Sequence, residues 1–277
     1  MRKPTSLSRW FKRIALTVVA LYLIAGVTLW FFQRSLIYYA NPLLFTPDAP
    51  AIAIPSHGLI LHGWAINPGH DHALIYFGGK GESVERDVGF FRTTLPDCTV
   101  YLVPYRGFGP NAGHPTEKDL FADALVVHDW VRARHPHVAA MGRSLGSGVA
   151  TWLAAQRPLE RLVLVTPYDS ILGIASERYP AFPVAWFLED RYESTRYAPS
   201  VHARVLVVLA SDDHAIPRAH SEALMTHFPA RPDVVVVPHS GHNNIHNSPD
   251  YARAVAAFID PWTTPPAAAP SPAVRPH

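Results

Sequence analysis

Short, continuous apolar runs separated by polar, glycine-bearing turns set the rhythm of this chain from residue 59 onward. They fall at 59–66, 73–77, 99–104, 161–166, 204–210 and 233–238, with a further run at 138–141. Runs this short that do not alternate with polar residues fit strands buried on both faces. Between them, residues 117–134 place Leu120, Ala124, Val127, Trp130 and Val131 at i, i+4, i+7, i+10 and i+11. That spacing predicts an amphipathic helix. The Ala-rich stretch 149–156 and a stretch opening near Pro217, a good first-turn residue, predict two more. Strand–helix alternation at these lengths predicts an α/β domain, with a mostly parallel sheet and helices on both faces. The rhythm breaks between Thr166 and Arg204, where Tyr168, Tyr179, Phe182, Trp186, Phe187, Tyr192 and Tyr197 crowd together. A segment inserted there predicts a small cap over about residues 168–203. Any one of its rings serves equally well to pack the cap on the core; as a group they predict an apolar pocket.

Upstream the pattern is of another kind. Residues 14–32 are 19 consecutive positions without a charge. As a helix they extend about 28 Å, close to the hydrocarbon thickness of a bilayer. Arg2, Lys3, Arg9, Lys12 and Arg13 precede this stretch with no acidic residue, and only Arg34 follows closely. The positive-inside rule then puts the N-terminus in the cytoplasm and the rest of the chain on the outer side of the cytoplasmic membrane. A cleaved signal peptide and a buried helix are competing readings. The length of the run, and the lack of a clean small-x-small site after it, favour an uncleaved anchor. The resulting organisation is a basic segment at 1–13, a transmembrane helix at 14–32 and an extended, proline-containing linker at 33–58. A catalytic domain follows at 59–260, then a tail at 261–277 whose six prolines predict disorder.

Composition narrows the function classes. A chain of 277 residues has room for one large α/β domain or two small ones. A net charge of +2, with five basic residues inside the first 13 positions, gives no basic surface for nucleic acid. Cys98 is the single cysteine, which excludes an intramolecular disulfide and any Cys-based metal cluster. Lying just before an apolar run, it reads as a buried structural thiol.

The chemistry gathers around Gly142-Arg143-Ser144-Leu145-Gly146, a Gly-x-Ser-x-Gly motif between a strand and a helix. In that context the serine sits on a strained turn at a helix N-terminus, and the flanking glycines remove Cβ atoms that would clash. The alternative is a Gly-rich turn that happens to hold a serine. Downstream, Asp213 lies just past the run at 204–210, where an acid that orients an imidazole belongs, with Asp212 as competitor. His242 follows a glycine in the loop after the last run, with His239 and His246 as competitors. The spacing His239-x2-His242-x3-His246 also admits a metal reading, which no nearby carboxylates support. The order Ser144, Asp213, His242 differs from the chymotrypsin and subtilisin orders. Gly78-Gly79-Lys80-Gly81 closes an early strand, where a second backbone donor for an oxyanion is needed. The candidate donors are the N–H groups of Lys80 and Leu145. No Gly-Lys-Ser/Thr ending makes this loop a phosphate-binding one.

With these residues assembled, the chain resembles the α/β-hydrolase superfamily over roughly residues 30–260. The match is to its BEM46/ABHD13-like membrane-anchored group, related to the serine aminopeptidase-type hydrolases. It rests on Tyr76-Phe77-Gly78-Gly79, Tyr105-Arg106-Gly107-Phe108-Gly109, the serine motif, Asp213-x-x-x-Pro217 and Gly241-His242-Asn243. The resemblance implies Ser144 as nucleophile, Asp213 as acid and His242 as base, without cofactor or metal. Lys80 departs from the pattern, since many relatives carry Asn in a His-Gly-Asn-type loop; a backbone donor survives that change. Cleavage of an acyl ester or thioester, lipid-like or small, is the first expectation. An amide or peptide hydrolase and a non-catalytic binding module are the alternatives.

Overall fold

Eight strands form one sheet in the computed structural model, which describes residues 6–263. They are β1 (Ala51–Ser56), β2 (Leu59–Ile66), β3 (His72–Phe77), β4 (Thr99–Leu102), β5 (His137–Arg143), β6 (Arg161–Val165), β7 (Arg204–Ala210) and β8 (Asp233–Val237). Their spatial order is β1-β2-β4-β3-β5-β6-β7-β8. β2 pairs antiparallel with β1 and β4; the other neighbours are parallel. Each run predicted from residue 59 onward falls on one of these strands. In β3, β5, β6 and β7 the continuous hydrophobicity has a simple cause, since successive side chains enter opposite faces and both faces are covered. β8 departs from that expectation, because at the sheet edge Val234 and Val236 are exposed. Ile75, Ala140 and Leu164 join a core with α3 (Glu117–Arg132) and α4 (Leu145–Gln156). Leu74, Met141 and Val163 join a second core with α2 (Val88–Thr94) and α9 (Pro249–Thr263).

The stretch 33–58 is not merely a linker. Ala51–Ser56 pairs residue by residue with β2 through a His57-Gly58 turn. Both turn residues have positive φ, 45° and 81°, as a tight two-residue hairpin requires. Pro55 masks this strand in the sequence, and the sheet edge is where a strand tolerates proline. The cap comprises α5 (Ile171–Arg178), α6 (Val184–Phe187) and α7 (Ser194–Tyr197), followed by α8 (Arg218–Met225) after β7.

α1 (Ser6–Ile37) extends beyond both ends of the uncharged stretch. It is long and apolar enough to cross a membrane by length and composition. α9 runs through Thr263, past the boundary set for the tail, and Trp262 Nε1 donates to Glu160 at 2.6 Å. The remainder of the tail, like the first five residues, lies outside the described residues.

Candidate active site

Ser144 stands between β5 and α4 with φ 50° and ψ −118°, a conformation costly for any residue with a Cβ. Its N–H donates to Val165 O at 2.9 Å, tying the turn to β6. The two glycines are sterically required. A Cβ on Gly142 would lie 2.2 Å from Gly146 O, and one on Gly146 would lie 2.0 Å from Phe77 O. The motif is therefore a close three-way contact of β3, β5 and α4, with the serine at its apex.

His242 reaches this apex from the loop after β8. Its Nε2 lies 2.8 Å from Ser144 Oγ, and its Nδ1 lies 2.8 Å from Asp213 Oδ2. Asp213 is held in turn, with Oδ1 accepting from the Ala215 and Ile216 N–H groups at 2.9 and 2.8 Å. Burial pushes its carboxyl up, but the His242 hydrogen bond and these N–H donors outweigh burial and hold it below the ordinary range. Of the competitors, Asp212 accepts from Ser211 and lies exposed, and His239 and His246 are exposed as well.

The loop after β3 closes the site from the other side. The Lys80 and Leu145 backbone N–H groups have no partner among the described residues, and both residues line the cavity that holds Ser144 and His242. Tyr105 buttresses the loop by donating from its hydroxyl to Gly78 O at 2.8 Å. Its neighbour Arg106 makes two 2.7 Å bonds to the buried Asp123. The aromatic-basic motif at 105–109 thus supports the loop and ties it to α3.

The sequence matches no protein-family model. An uncharacterised protein of Mycobacterium tuberculosis is 33% identical over 250 residues, 83% of this chain and 89% of its own length. The lysophosphatidylserine lipase ABHD12 of Macaca fascicularis is 30% identical over 236 residues, 74% of this chain but 56% of that relative. The chain therefore spans little more than half of that lipase. Among solved structures, an esterase of Pyrococcus furiosus superposes with a TM-score of 0.66 at 16% identity, over 81% of this chain and 98% of that one.

The chain belongs to the α/β-hydrolase superfamily.

Its named relatives place it among hydrolases, and its sheet order and β5–α4 turn are those of the fold. Two features around the site escaped the sequence. The first is a clamp between loops. Glu82 accepts from the Gly79 N–H at 2.6 Å, from Arg143 Nη1 at 2.9 Å and from the Tyr76 hydroxyl. Arg143 Nη2 also donates to His242 O at 3.1 Å. One mostly buried ion pair thereby links the Gly-rich loop, the serine turn and the histidine loop. Nothing in local sequence relates Glu82 to Arg143, because they meet only when β3 and β5 pair.

Asp87 lies beside this clamp, with its Oδ2 shielded from solvent and its carboxyl within hydrogen-bond reach of Glu82. Burial and the neighbouring Glu82 charge push its carboxyl up to about 9. Unfolded, the same group titrates near 4. Between those values the native chain holds a proton that the unfolded chain has lost. Raising the pH through this window thus favours unfolding, by at most about 1.4 kcal/mol per pH unit. Asp87→Asn should flatten the decline in urea-unfolding midpoint between about pH 5 and 8. A decline of unchanged slope in the variant would mean that Asp87 is ionised in the fold.

The second feature is the make-up of the predicted apolar cavity, which is about 460 Å³ in volume. That is within the range of small-molecule sites. Its apolar wall is largely aliphatic. Ile171, Ile174 and Ala175 come from α5, and Leu36 and Ile37 from the last turn of α1. Of the cap aromatics only Tyr168 and Tyr179 line it; Tyr192 is buried elsewhere and Trp186 is exposed. The grouped rings therefore pack the cap more than they shape the pocket.

Proposed function

We propose that this protein is a membrane-anchored serine hydrolase that cleaves acyl esters or thioesters. The observation that carries the reading is His242, bridging Ser144 Oγ and Asp213 at the edge of an apolar cavity. His242 Nε2 takes the Ser144 proton as Oγ attacks the carbonyl carbon. The N–H groups of Leu145 and Lys80 receive the oxyanion. Collapse expels the alcohol or thiol, which takes the proton back from His242. Water, activated by the same imidazole, then releases the acid and restores Ser144. Asp213 stays ionised throughout and stabilises the imidazolium.

An acyl chain suits the aliphatic wall. The exposed Lys80 and Arg178 side chains bring positive charge to the same cavity, which favours a substrate with an anionic head. The similarity to a lipase acting on lysophosphatidylserine points the same way. We place the chain within the BEM46/ABHD13-like group, anchored by α1 in the cytoplasmic membrane with the catalytic domain outside. The basic residues before the uncharged stretch support that orientation.

The test is hydrolysis of p-nitrophenyl esters of increasing acyl length by the full-length protein in detergent, with fluorophosphonate labelling beside it. Turnover that rises with chain length to an optimum, and labelling at Ser144, are expected. Labelling without ester turnover would turn the reading toward amides. Neither signal from the folded protein would leave a binding module.

A further inference from the structure

Helix α1 does not stand clear of the catalytic body. Tyr22, in the middle of its uncharged stretch, stacks on Phe182 of the cap with ring centroids 4.9 Å apart and planes 4° from parallel. Its hydroxyl donates to Ala181 O at 2.8 Å. One turn on, Gly26 lies under the same ring, where a Cβ would sit 3.6 Å from it. Nearer the end of α1, Gln33 donates to Phe187 O at 3.3 Å and accepts from the Glu189 N–H at 2.9 Å. Arg34 pairs with Glu189 and Asp190. The cap segment thus lies against α1 from Tyr22 to Arg34.

These contacts fix a depth. At 1.5 Å per residue, Tyr22 and Gly26 lie about 15 and 9 Å inside the Phe32 end of the uncharged stretch. Half of a hydrocarbon core is about 15 Å. If α1 spans a bilayer, Phe182 has to lie within the leaflet on the catalytic side.

We propose that residues 179–188 are a second membrane-seated element, a wedge in that leaflet that opens the cavity to lipid rather than to bulk water. This rests on the reading of α1 as a transmembrane anchor. Three independent features agree. The segment Tyr-Pro-Ala-Phe-Pro-Val-Ala-Trp-Phe-Leu carries no charge, and charged residues bracket it, Arg178 before and Glu189, Asp190 and Arg191 after. Trp186, at 87% exposure, is the most exposed large hydrophobic side chain among the described residues. Much of the backbone polarity is also already satisfied, as hydrocarbon demands. Phe182, Val184, Trp186 and Leu188 donate their N–H groups within the segment, and Pro180 and Pro183 have none. Tyr22, Gln33 and Arg191 cover the carbonyls of Ala181, Phe187 and Ala185.

The consequence concerns substrate entry. The cavity wall is built from α5, which leads directly into the wedge, and from the last turn of α1. An acyl chain can then pass sideways from the leaflet to Ser144 while its head stays at the boundary beside Lys80 and Arg178.

The test uses full-length protein in phosphatidylcholine vesicles carrying nitroxide-labelled acyl chains. Trp186→Cys, Val18→Cys and Ala133→Cys each receive a fluorophore; Cys98 is buried and does not compete. Val18 lies on the uncharged stretch, and Ala133 is exposed before β5, whose far end bears the serine. Strong nitroxide quenching at 18 and 186, with iodide quenching only at 133, is the expected result. Quenching at 18 but not at 186 overturns the wedge and leaves the anchor intact. Quenching at neither overturns the anchor and the wedge with it. The readout is independent of hydrolysis, so failure of the hydrolase reading does not affect it. Trp186→Asp adds a functional arm, with turnover of a vesicle-embedded long-chain ester falling about tenfold while a soluble short-chain ester is unaffected. Equal loss on both substrates would count against lateral entry.

Discussion

Ser144→Ala should lower kcat/KM on any substrate the protein cleaves by roughly 10⁴- to 10⁶-fold, about 5–8 kcal/mol of transition-state stabilisation. In the proposed mechanism the substitution removes the atom that forms the acyl-enzyme, and it leaves a cavity of almost unchanged shape. Substrate affinity should therefore hold while turnover vanishes. Ser144→Gly should be equally inactive but differ in stability. At φ 50° and ψ −118° a side chain is strained, and glycine is not. We expect Ser144→Gly to unfold about 1–3 kcal/mol later than Ser144→Ala, read from urea midpoints. The pair separates two links, since loss of activity reports the nucleophile and the stability difference reports the turn. Ser144→Ala retaining more than a hundredth of the activity would place the nucleophile elsewhere.

Why so much of this site was legible in the chain follows from where its constraints lie. Ser144, Asp213 and His242 each follow an apolar strand, the first two buried and the last at the sheet edge, and parallel strands deliver their C-terminal ends to one side of the sheet. Finding the apolar runs therefore amounted to finding that side. The glycines flanking Ser144 carry their reason locally, because three backbones meet at that turn. What was not legible depends on contacts between distant segments. Pro55 hid an edge strand that β2 alone makes sense of. The cavity wall at Leu36 and Ile37 belongs to a helix that its own sequence describes only as membrane-spanning. Neither Phe182 nor Tyr22 names the other, and their stacking appears only once the cap has folded back along α1. The aromatic residues of the cap were easy to see and easy to overvalue, since aliphatic side chains of α5 supply more of the wall.

Arg143→Met should have the largest effect of any substitution outside the serine, histidine and acid. The guanidinium is mostly buried, pairs with a mostly buried Glu82 and donates to the carbonyl of His242. Removing it strands the Glu82 charge beside Asp87. Loss of one partner from a buried pair costs about 3–5 kcal/mol. It also frees two loops whose positions matter for chemistry, Gly79-Lys80 through Glu82 and His242 directly. Displacement of a reacting group by about 1 Å lowers rates on the order of 10²-fold, so kcat should fall by that factor with KM little changed. The double variant Arg143→Met, Glu82→Gln tells the two effects apart. With both charges gone the uncompensated ion disappears, and most of the lost stability should return. The rate should not, because a neutral pair no longer ties the two loops to the serine turn. Recovery of rate along with stability would mean that Arg143 only neutralises Glu82. Stability restored without rate would establish it as a positioning residue that holds the oxyanion loop and the histidine in one frame.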